Sequence, residues 1–212
     1  FGIPKENRYT HIGKMLKEAD INTVDVCLHN NMHAPVAIAA MEAGKDVYSE
    51  KPMAGSYADA LSMYETMKRT GKKLHVQMWS LYSNETKAAK RYIDNGDLGH
   101  IYHMRSYGFR RRGRPYVDGY GSKEFDNTKT AGGGALFDMG VYHIAQLLYL
   151  TGLPELERVT GTTYQELDMN EERRKISDFN VEELGVGFAT YKGGLTLDII
   201  EAWAINAGPL MS

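Results

Sequence analysis

Thr23-Val24-Asp25-Val26-Cys27-Leu28, followed by Pro35, the run Val36 to Ala43, Gly44 and then Asp46-Val47-Tyr48-Ser49, is the stretch on which the fold turns. Its first six residues carry apolar side chains at Val24, Val26 and Leu28 and polar ones between them, the alternation of a short strand. Pro35 suits the first turn of a helix, where its missing N–H would have no partner, and Gly44 suits the left-handed residue after a helix end, so Val36 to Ala43 reads as a helix. Residues 46 to 49 then read as a second strand. Ser56 with Asp59 three positions on resembles a capping pair for a helix carrying Ala60, Leu61, Met63, Tyr64 and Met67, which Gly71 stops. Lys73 to Met78 gives a third strand. Strands and helices alternating at this spacing fold most economically as parallel strands with right-handed crossovers, which is half of a doubly wound sheet.

The pattern changes near residue 80. Ser83 caps a helix over Asn84 to Asp94 that Asn95-Gly96 ends, and a further helix runs from about Ala135 to Leu150. Ile101 to Phe109, Arg158 to Leu167, Val181 to Tyr191 and Leu195 to Ala204 read as longer strands, the last two joined by the hairpin Tyr191-Lys192-Gly193-Gly194-Leu195. Strands with few crossovers predict an α+β domain with a large, mostly antiparallel open sheet. The reading is therefore an α/β chain with a doubly wound, parallel-sheet domain over residues 1–79 and a second domain over 80–212.

Composition removes several classes of function. With 42% hydrophobic and 25% charged residues, the 212-residue chain is that of a globular protein. Its 25 basic and 27 acidic residues leave a net charge of −2, which offers no field for nucleic acid or an anionic membrane. No stretch approaches the roughly 20 apolar residues of a membrane helix. The single cysteine, Cys27, excludes an internal disulfide framework and fits a reducing, cytoplasmic compartment.

Four segments carry chemistry. Ser49-Glu50-Lys51-Pro52 ends a strand of the parallel half, where open α/β sheets bind ligands, and Pro52 holds the residue before it extended. Gly132-Gly133-Gly134 opens the later helix and allows close approach of a ligand or of packed backbone; Asp138 and Tyr142 follow one turn apart on one face, with His143 rotated about 100° from Tyr142. His29 and His33 stand four residues apart, but no carboxylate or thiolate cluster joins them, so no metal is expected. Phe109 to Tyr116 places Arg110, Arg111, Arg112 and Arg114 in a loop after a strand. Without a second basic patch this loop reads as an anion, substrate or subunit contact and not a nucleic-acid site.

Six motifs in order, Asp25-Val-Cys-Leu, Asn30-x-x-His33, Ala43-Gly44-Lys45-x-Val47, Glu50-Lys51-Pro52, Gly96-x-Leu98-Gly99-x-Ile101 and Gly132-Gly-Gly-Ala-Leu-x-Asp138-x-Gly140, resemble the Gfo/Idh/MocA family of glucose-fructose oxidoreductase and inositol dehydrogenase relatives. The resemblance implies a partial Rossmann domain followed by a domain whose open sheet often joins subunits, hence a homo-oligomer. It also implies NAD or NADP as cofactor and a sugar or polyol as substrate. By position, Lys51 matches the family lysine beside the reacting hydroxyl and nicotinamide. Asp138 matches the acid of an Asp-x-Gly-x-His motif whose histidine position is here Tyr142, with His143 next to it in reserve. Asn30, His33, Glu50, Lys51 and Pro52 fall in the cofactor region, and Arg110, Arg112, Arg114, Tyr116 and Tyr120 are candidate substrate contacts. Leu28 and His29 replace the first two residues of the family's Thr-Pro-Asn loop, and Trp79, Ser80 and Leu81 stand where relatives often carry arginines. The family's Gly-x-Gly-x-x-Gly turn is expected upstream of Phe1 and further sequence beyond Ser212, so the reading is an internal segment of a longer enzyme.

The implied chemistry is reversible hydride transfer at a carbinol carbon, with Lys51 and Tyr142 converging on one cavity as proton-transfer groups. Two rivals share the fold: a glycosidase that uses bound NAD for transient oxidation, and a non-catalytic dinucleotide or sugar-binding regulator.

Overall fold

A computed structural model describes residues 2–206, which divide between Gln77 and Met78 into two compact units. The first contains α1 (Ile12–Glu18), β1 (Thr23–Val26), α2 (Asn30–Glu42), β2 (Asp46–Ser49), α3 (Tyr57–Thr70) and β3 (Leu74–Val76). Its strands lie in the order β1-β2-β3, all parallel, with Val24 opposite Val47 and Val47 opposite Leu74. Buried Val24, Val26 and Val47 meet Ala34, Ala37, Ala40 and Met41 of α2 and Met63 of α3. The small alanine side chains let α2 lie close on the sheet. Ser56 and Gly71 bound α3 as their residue types require: Asp59 N donates to Ser56 Oγ at 3.2 Å, and Gly71 has φ +67°.

Most boundaries lie within three residues of the sequence reading, and the start of α2 differs by more. α2 begins at Asn30, not beside Val36, so Pro35 is its sixth residue. Proline at that depth removes a helical hydrogen bond, and local propensity opposes it. Tertiary bonding of His33, described below, holds the preceding turn helical all the same.

The second unit contains a 3-10 turn (Trp79–Tyr82), α4 (Asn84–Asp94), β4 (His103–Phe109), a 3-10 turn (Lys123–Phe125) and α5 (Thr128–Ala131). A π-helical turn (Leu136–Gly140) then runs into α6 (Val141–Leu150), followed by β5 (Leu156–Tyr164), α7 (Glu171–Ser177), β6 (Leu184–Tyr191) and β7 (Thr196–Ala202). The sheet order is β4-β7-β6-β5, with β5/β6 and β6/β7 antiparallel and β4/β7 parallel, so the sheet is mixed as well as mostly antiparallel. Gly193 and Gly194, both at φ +87°, make the β6–β7 hairpin. α7 is capped by Asn170, whose Oδ1 accepts from Arg173 N at 2.9 Å.

One face of this sheet carries Met104, Ala189, Tyr191 and Leu197, which pack with Leu147 and Leu148 of α6. Space is short there: a Cβ added at Gly108 would collide with the Glu201 carboxylate, and one at Gly185 with Leu136. The opposite face shows Arg105, Tyr107, Phe188 and Ile200, and β5 is exposed along its whole length. Across that face Arg105 Nε lies 2.9 Å from both carboxylate oxygens of Asp198. Among the described residues no helix is long and apolar enough to cross a membrane.

Asp126 is fully buried beside this unit's loops. Burial pushes its carboxyl up to about 7 from an ordinary value near 3.8; the Ser177 hydroxyl and Arg114 oppose the rise and Asp118 adds to it. The folded state therefore holds this proton more tightly than the unfolded chain does, and stability declines as pH rises from about 4 to about 7. Asp126→Asn, which cannot ionise, is expected to melt close to the wild type at pH 4 and above it at pH 8. Thermal unfolding across that range measures the difference.

Candidate active site

In the first unit the carboxyl ends of β1 and β2 lie side by side, Val26 opposite Ser49. The ladder continues through Glu50 N to Val26 O at 3.0 Å and Gln77 N to Ser49 O at 2.8 Å. The loops that leave these strands are joined by His33. Its fully buried ring places Nδ1 2.8 Å from the Pro52 carbonyl oxygen and Nε2 3.0 Å from that of Leu28. His33, expected to contact cofactor, sits between the two loops, with each ring nitrogen within hydrogen-bond distance of a carbonyl from one of them. Pro52 is buried, Asn30 is buried at the start of α2, and Lys51 and Glu50 are partly exposed. Glu50 Oε2 accepts from Lys51 N at 3.1 Å, and the Lys51–Pro52 bond is cis. Leu28 and Met32 are exposed beside them. A carboxamide, an ammonium and two open apolar side chains at the carboxyl edge of a parallel sheet suit the aromatic and sugar parts of a dinucleotide. Among the described residues, no group of three or more His, Cys, Asp or Glu converges as metal ligands would.

In the second unit the last residue of the triple glycine closes on the chain's own Glu182. Gly134 N donates to Glu182 Oε2 at 2.7 Å, Leu136 N to Oε1 at 3.0 Å, and Ala135 N to the Glu182 carbonyl at 3.1 Å. A Cβ at Gly134 would strike that carbonyl, so glycine is required by close approach. The π turn that follows and α6 carry three of the four predicted catalytic residues in different directions. Asp138 Oδ2 accepts from Trp203 Nε1 at 2.9 Å and from Arg110 Nη1 at 3.3 Å. Tyr142 is half-buried with its ring centroid 6.1 Å from that of Trp79, the planes tilted by 57°. His143 turns to the sheet, where Nδ1 bonds the fully buried Glu201. That bond holds the imidazole above its ordinary range, against burial, so its proton stabilises the fold at low pH and is lost as pH rises.

The arginine loop divides. Arg110 reaches Asp138 and also Tyr120, whose hydroxyl accepts at 3.0 Å and donates to the Gly113 carbonyl. Burial pushes the Tyr120 phenol up, with Arg110 opposing. Arg112 bonds the Ile205 carbonyl at 3.1 Å and Asn206 Oδ1 at 3.0 Å. Tyr116 sits at φ +53° beneath the Arg173 guanidinium, 6.0 Å from the ring centroid. Arg114, expected among the substrate contacts, is an internal residue. Its Nε and Nη2 fork onto Asp118 at 3.0 and 2.9 Å, Nη1 meets Glu183 at 2.8 Å and the Leu167 carbonyl at 3.1 Å, and Nη2 also meets the Asp168 carbonyl at 2.9 Å. With its donors so engaged and 1% of the residue exposed, it has nothing to offer a substrate.

Sequence reasoning passed over Trp203 and Glu201. The signal was available in β7, where Leu197, Ile199 and Glu201 occupy successive inward positions: a carboxylate on the core side of an alternating strand calls for a partner.

Residues 1–78 match the model of the oxidoreductase family with an NAD-binding Rossmann fold, and residues 86–210 that of the GFO/IDH/MocA C-terminal domain. The chain belongs to the Gfo/Idh/MocA oxidoreductase family. It is 28% identical to D-glucoside 3-dehydrogenase of Escherichia coli over 197 residues, covering 91% of this chain and 55% of that protein. Levoglucosan dehydrogenase of Pseudarthrobacter phenanthrenivorans is 32% identical over 157 residues, covering 69% of this chain and 37% of that protein. The crystal structure of aldose-aldose oxidoreductase from Caulobacter crescentus complexed with glycerol superposes with a TM-score of 0.79 at 27% identity, over 98% of this chain and 59% of that one. The chain spans about half the length of the curated relatives it matches over most of its own length.

Removing Arg114 strands two carboxylates. Arg114→Ala is expected to lower unfolding free energy by about 3–5 kcal/mol, whereas Arg112→Ala, at the exposed part of the loop, changes it by about 0.5 kcal/mol or less. Urea unfolding of the two variants separates the internal arginine from the external one.

Proposed function

We propose that this chain forms part of an enzyme transferring a hydride between NAD or NADP and the hydroxyl- or carbonyl-bearing carbon of a sugar, polyol or related small molecule. The observation that carries this reading is Lys51, a partly exposed ammonium at the carboxyl end of the middle parallel strand, on a loop that His33 ties down. The names of two relatives, a glucoside dehydrogenase and a levoglucosan dehydrogenase, support sugars as the substrate class. Solved relatives in complex with NAD and with NADH support the nicotinamide cofactor.

When bound, the nicotinamide accepts or donates the hydride. The chain's own part is proton handling. An alcohol being oxidised must lose its hydroxyl proton to a base within about 3 Å; the Lys51 amine takes that proton, and the ammonium so formed favours the alkoxide that develops. The Tyr142 phenol is the second proton-transfer group. Asp138, anchored by Trp203 and Arg110, keeps a carboxylate one helical turn before Tyr142. Arg110 and Tyr120 contact the substrate, while His143, paired with Glu201, holds the helix to the sheet. The lone exposed Cys27 supports a cytoplasmic enzyme.

In the full-length enzyme, Lys51→Ala is expected to lower kcat at least about 100-fold while NAD affinity changes less than about threefold, and Tyr142→Phe to lower kcat about tenfold or more. A screen of sugars and polyols that follows NADH formation, with cofactor binding by calorimetry, measures both. Unchanged turnover in Lys51→Ala removes that residue from the mechanism.

The open face of the second unit supports a homo-oligomer. Tyr107 and Phe109 stack on β4 with centroids 5.6 Å apart, and Phe188 and Tyr107 are exposed on the same face, an apolar patch of the kind subunit interfaces cover. Phe188→Arg is expected to convert the oligomer to monomer in light scattering after size exclusion, with the melting curve of the monomer otherwise cooperative.

A further inference from the structure

Trp79 is a large apolar side chain that the second unit holds beside Tyr142 and yet leaves 59% exposed. Its backbone is not loose. Thr86, 1% exposed at the start of α4, donates from Oγ1 to the Ser80 carbonyl at 2.7 Å, and the same oxygen accepts from Gln146 Nε2. Ser83 completes the anchorage by accepting from Thr86 N at 3.2 Å. Tyr142 and Gln146 are four residues apart, so they share one face of α6. One stripe of that helix thus meets the Trp79 ring with a phenol and fixes the Trp79 turn with a carboxamide. Tyr82, 56% exposed, lies in the same turn. Ser80, between them in the chain, keeps a buried hydroxyl with no hydrogen-bond partner among the described residues.

A rigid, open indole next to a proton-transfer group is suited to a flat, weakly apolar ligand surface. Six-membered-ring sugars and cyclitols present such a surface: axial C–H bonds gather on a ring face while hydroxyls project from its rim. The polarised C–H bonds meet the electron-rich face of indole, whose quadrupole favours them, and leave the hydroxyls to polar partners. Acyclic polyols have no such face, and a carboxylated or phosphorylated ligand would find no cation in the 79–82 turn.

We propose that Trp79 is a stacking platform that selects neutral, ring-form sugars or cyclitols and sets their reacting rim toward Tyr142. The inference rests on the sugar-oxidoreductase reading above and adds a specificity-determining residue to it. Trp79 is a positioning residue, so its loss moves substrate affinity much more than the chemical step.

In this chain Trp79 stands in the open and Trp203 is buried, 1% exposed, so the share of the full-length enzyme's tryptophan emission that Trp79→Phe removes can report the platform. Methyl β-glucopyranoside, methyl α-mannopyranoside and myo-inositol are titrated, with sorbitol as open-chain control, into wild type, Trp79→Phe and Trp79→Ala. At least one ring compound is expected to change the wild-type emission saturably, sorbitol is not, and the change is absent in Trp79→Phe. In steady-state kinetics with the best ring substrate, Trp79→Ala raises KM at least tenfold with kcat within threefold, and Trp79→Phe stays within threefold on both. Ring-sugar turnover with an unchanged KM in Trp79→Ala overturns the platform and leaves the oxidoreductase reading standing. Equal responses to sorbitol and the ring compounds also overturn it. If no sugar or polyol is bound or turned over, both readings fall.

Discussion

The second unit depends on a carboxylate that two backbone amides grip. Glu182 receives Gly134 N and Leu136 N on its two oxygens while its own carbonyl receives Ala135 N. Amides at the opening of a helix have no partner within the helix, and a negative charge there is favoured by the aligned peptide dipoles. Through that grip the segment just before β6 sets where the π turn and α6 begin. Everything placed by the π turn and α6 follows from it: Asp138 against Trp203 and Arg110, Tyr142 against Trp79, His143 against Glu201, and Gln146 against Thr86. The triple glycine is the steric condition for the grip, since side chains at 133 and 134 would occupy the space that Phe137 and Glu182 fill.

Much of the architecture was legible because local and tertiary signals agree. Ser56 and Ser83 cap the helices they announce, Gly71 and Gly96 adopt the left-handed conformation that ends them, and the alternating run at residues 23–26 lies in a parallel sheet. The exceptions have identifiable causes. The early start of α2 opposes the preference of a residue before proline and is held by His33, whose two bonds reach 5 and 19 residues along the chain. β4 lies parallel to β7, His103 opposite Thr196 and Phe109 opposite Ala202, although 86 residues lie in the chain between Phe109 and Thr196; such a pairing leaves no local mark. α1 is too short, at seven residues, for a full amphipathic pattern, and α7 had a readable cap in Asn170-Glu171-Glu172 that was passed over.

The site was legible by residue type and less so by direction. The helical rotation between Tyr142 and His143 implied that they would diverge, and they do, one to an open indole and the other to a buried carboxylate. Arginine in a loop carries no such information. Arg110 and Arg114 are four residues apart in one basic run; the first remains partly exposed beside Asp138, and the second is enclosed by Asp118, Glu183 and two carbonyls. Only the identity of the surrounding acceptors, contributed by residues 118, 167, 168 and 183, separates the roles, and that depends on long-range folding.

Gly108 and Gly185 set how closely the two layers of this unit seat. A Cβ at Gly108 would meet the Glu201 carboxylate and His143 of α6, and one at Gly185 would meet Leu136 of the π turn. Even one added methyl group at either position would wedge the turn or the helix off the strands, so the two glycines act as spacers of zero thickness, whereas outward side chains such as Tyr107 and Phe188 lie clear of that seating.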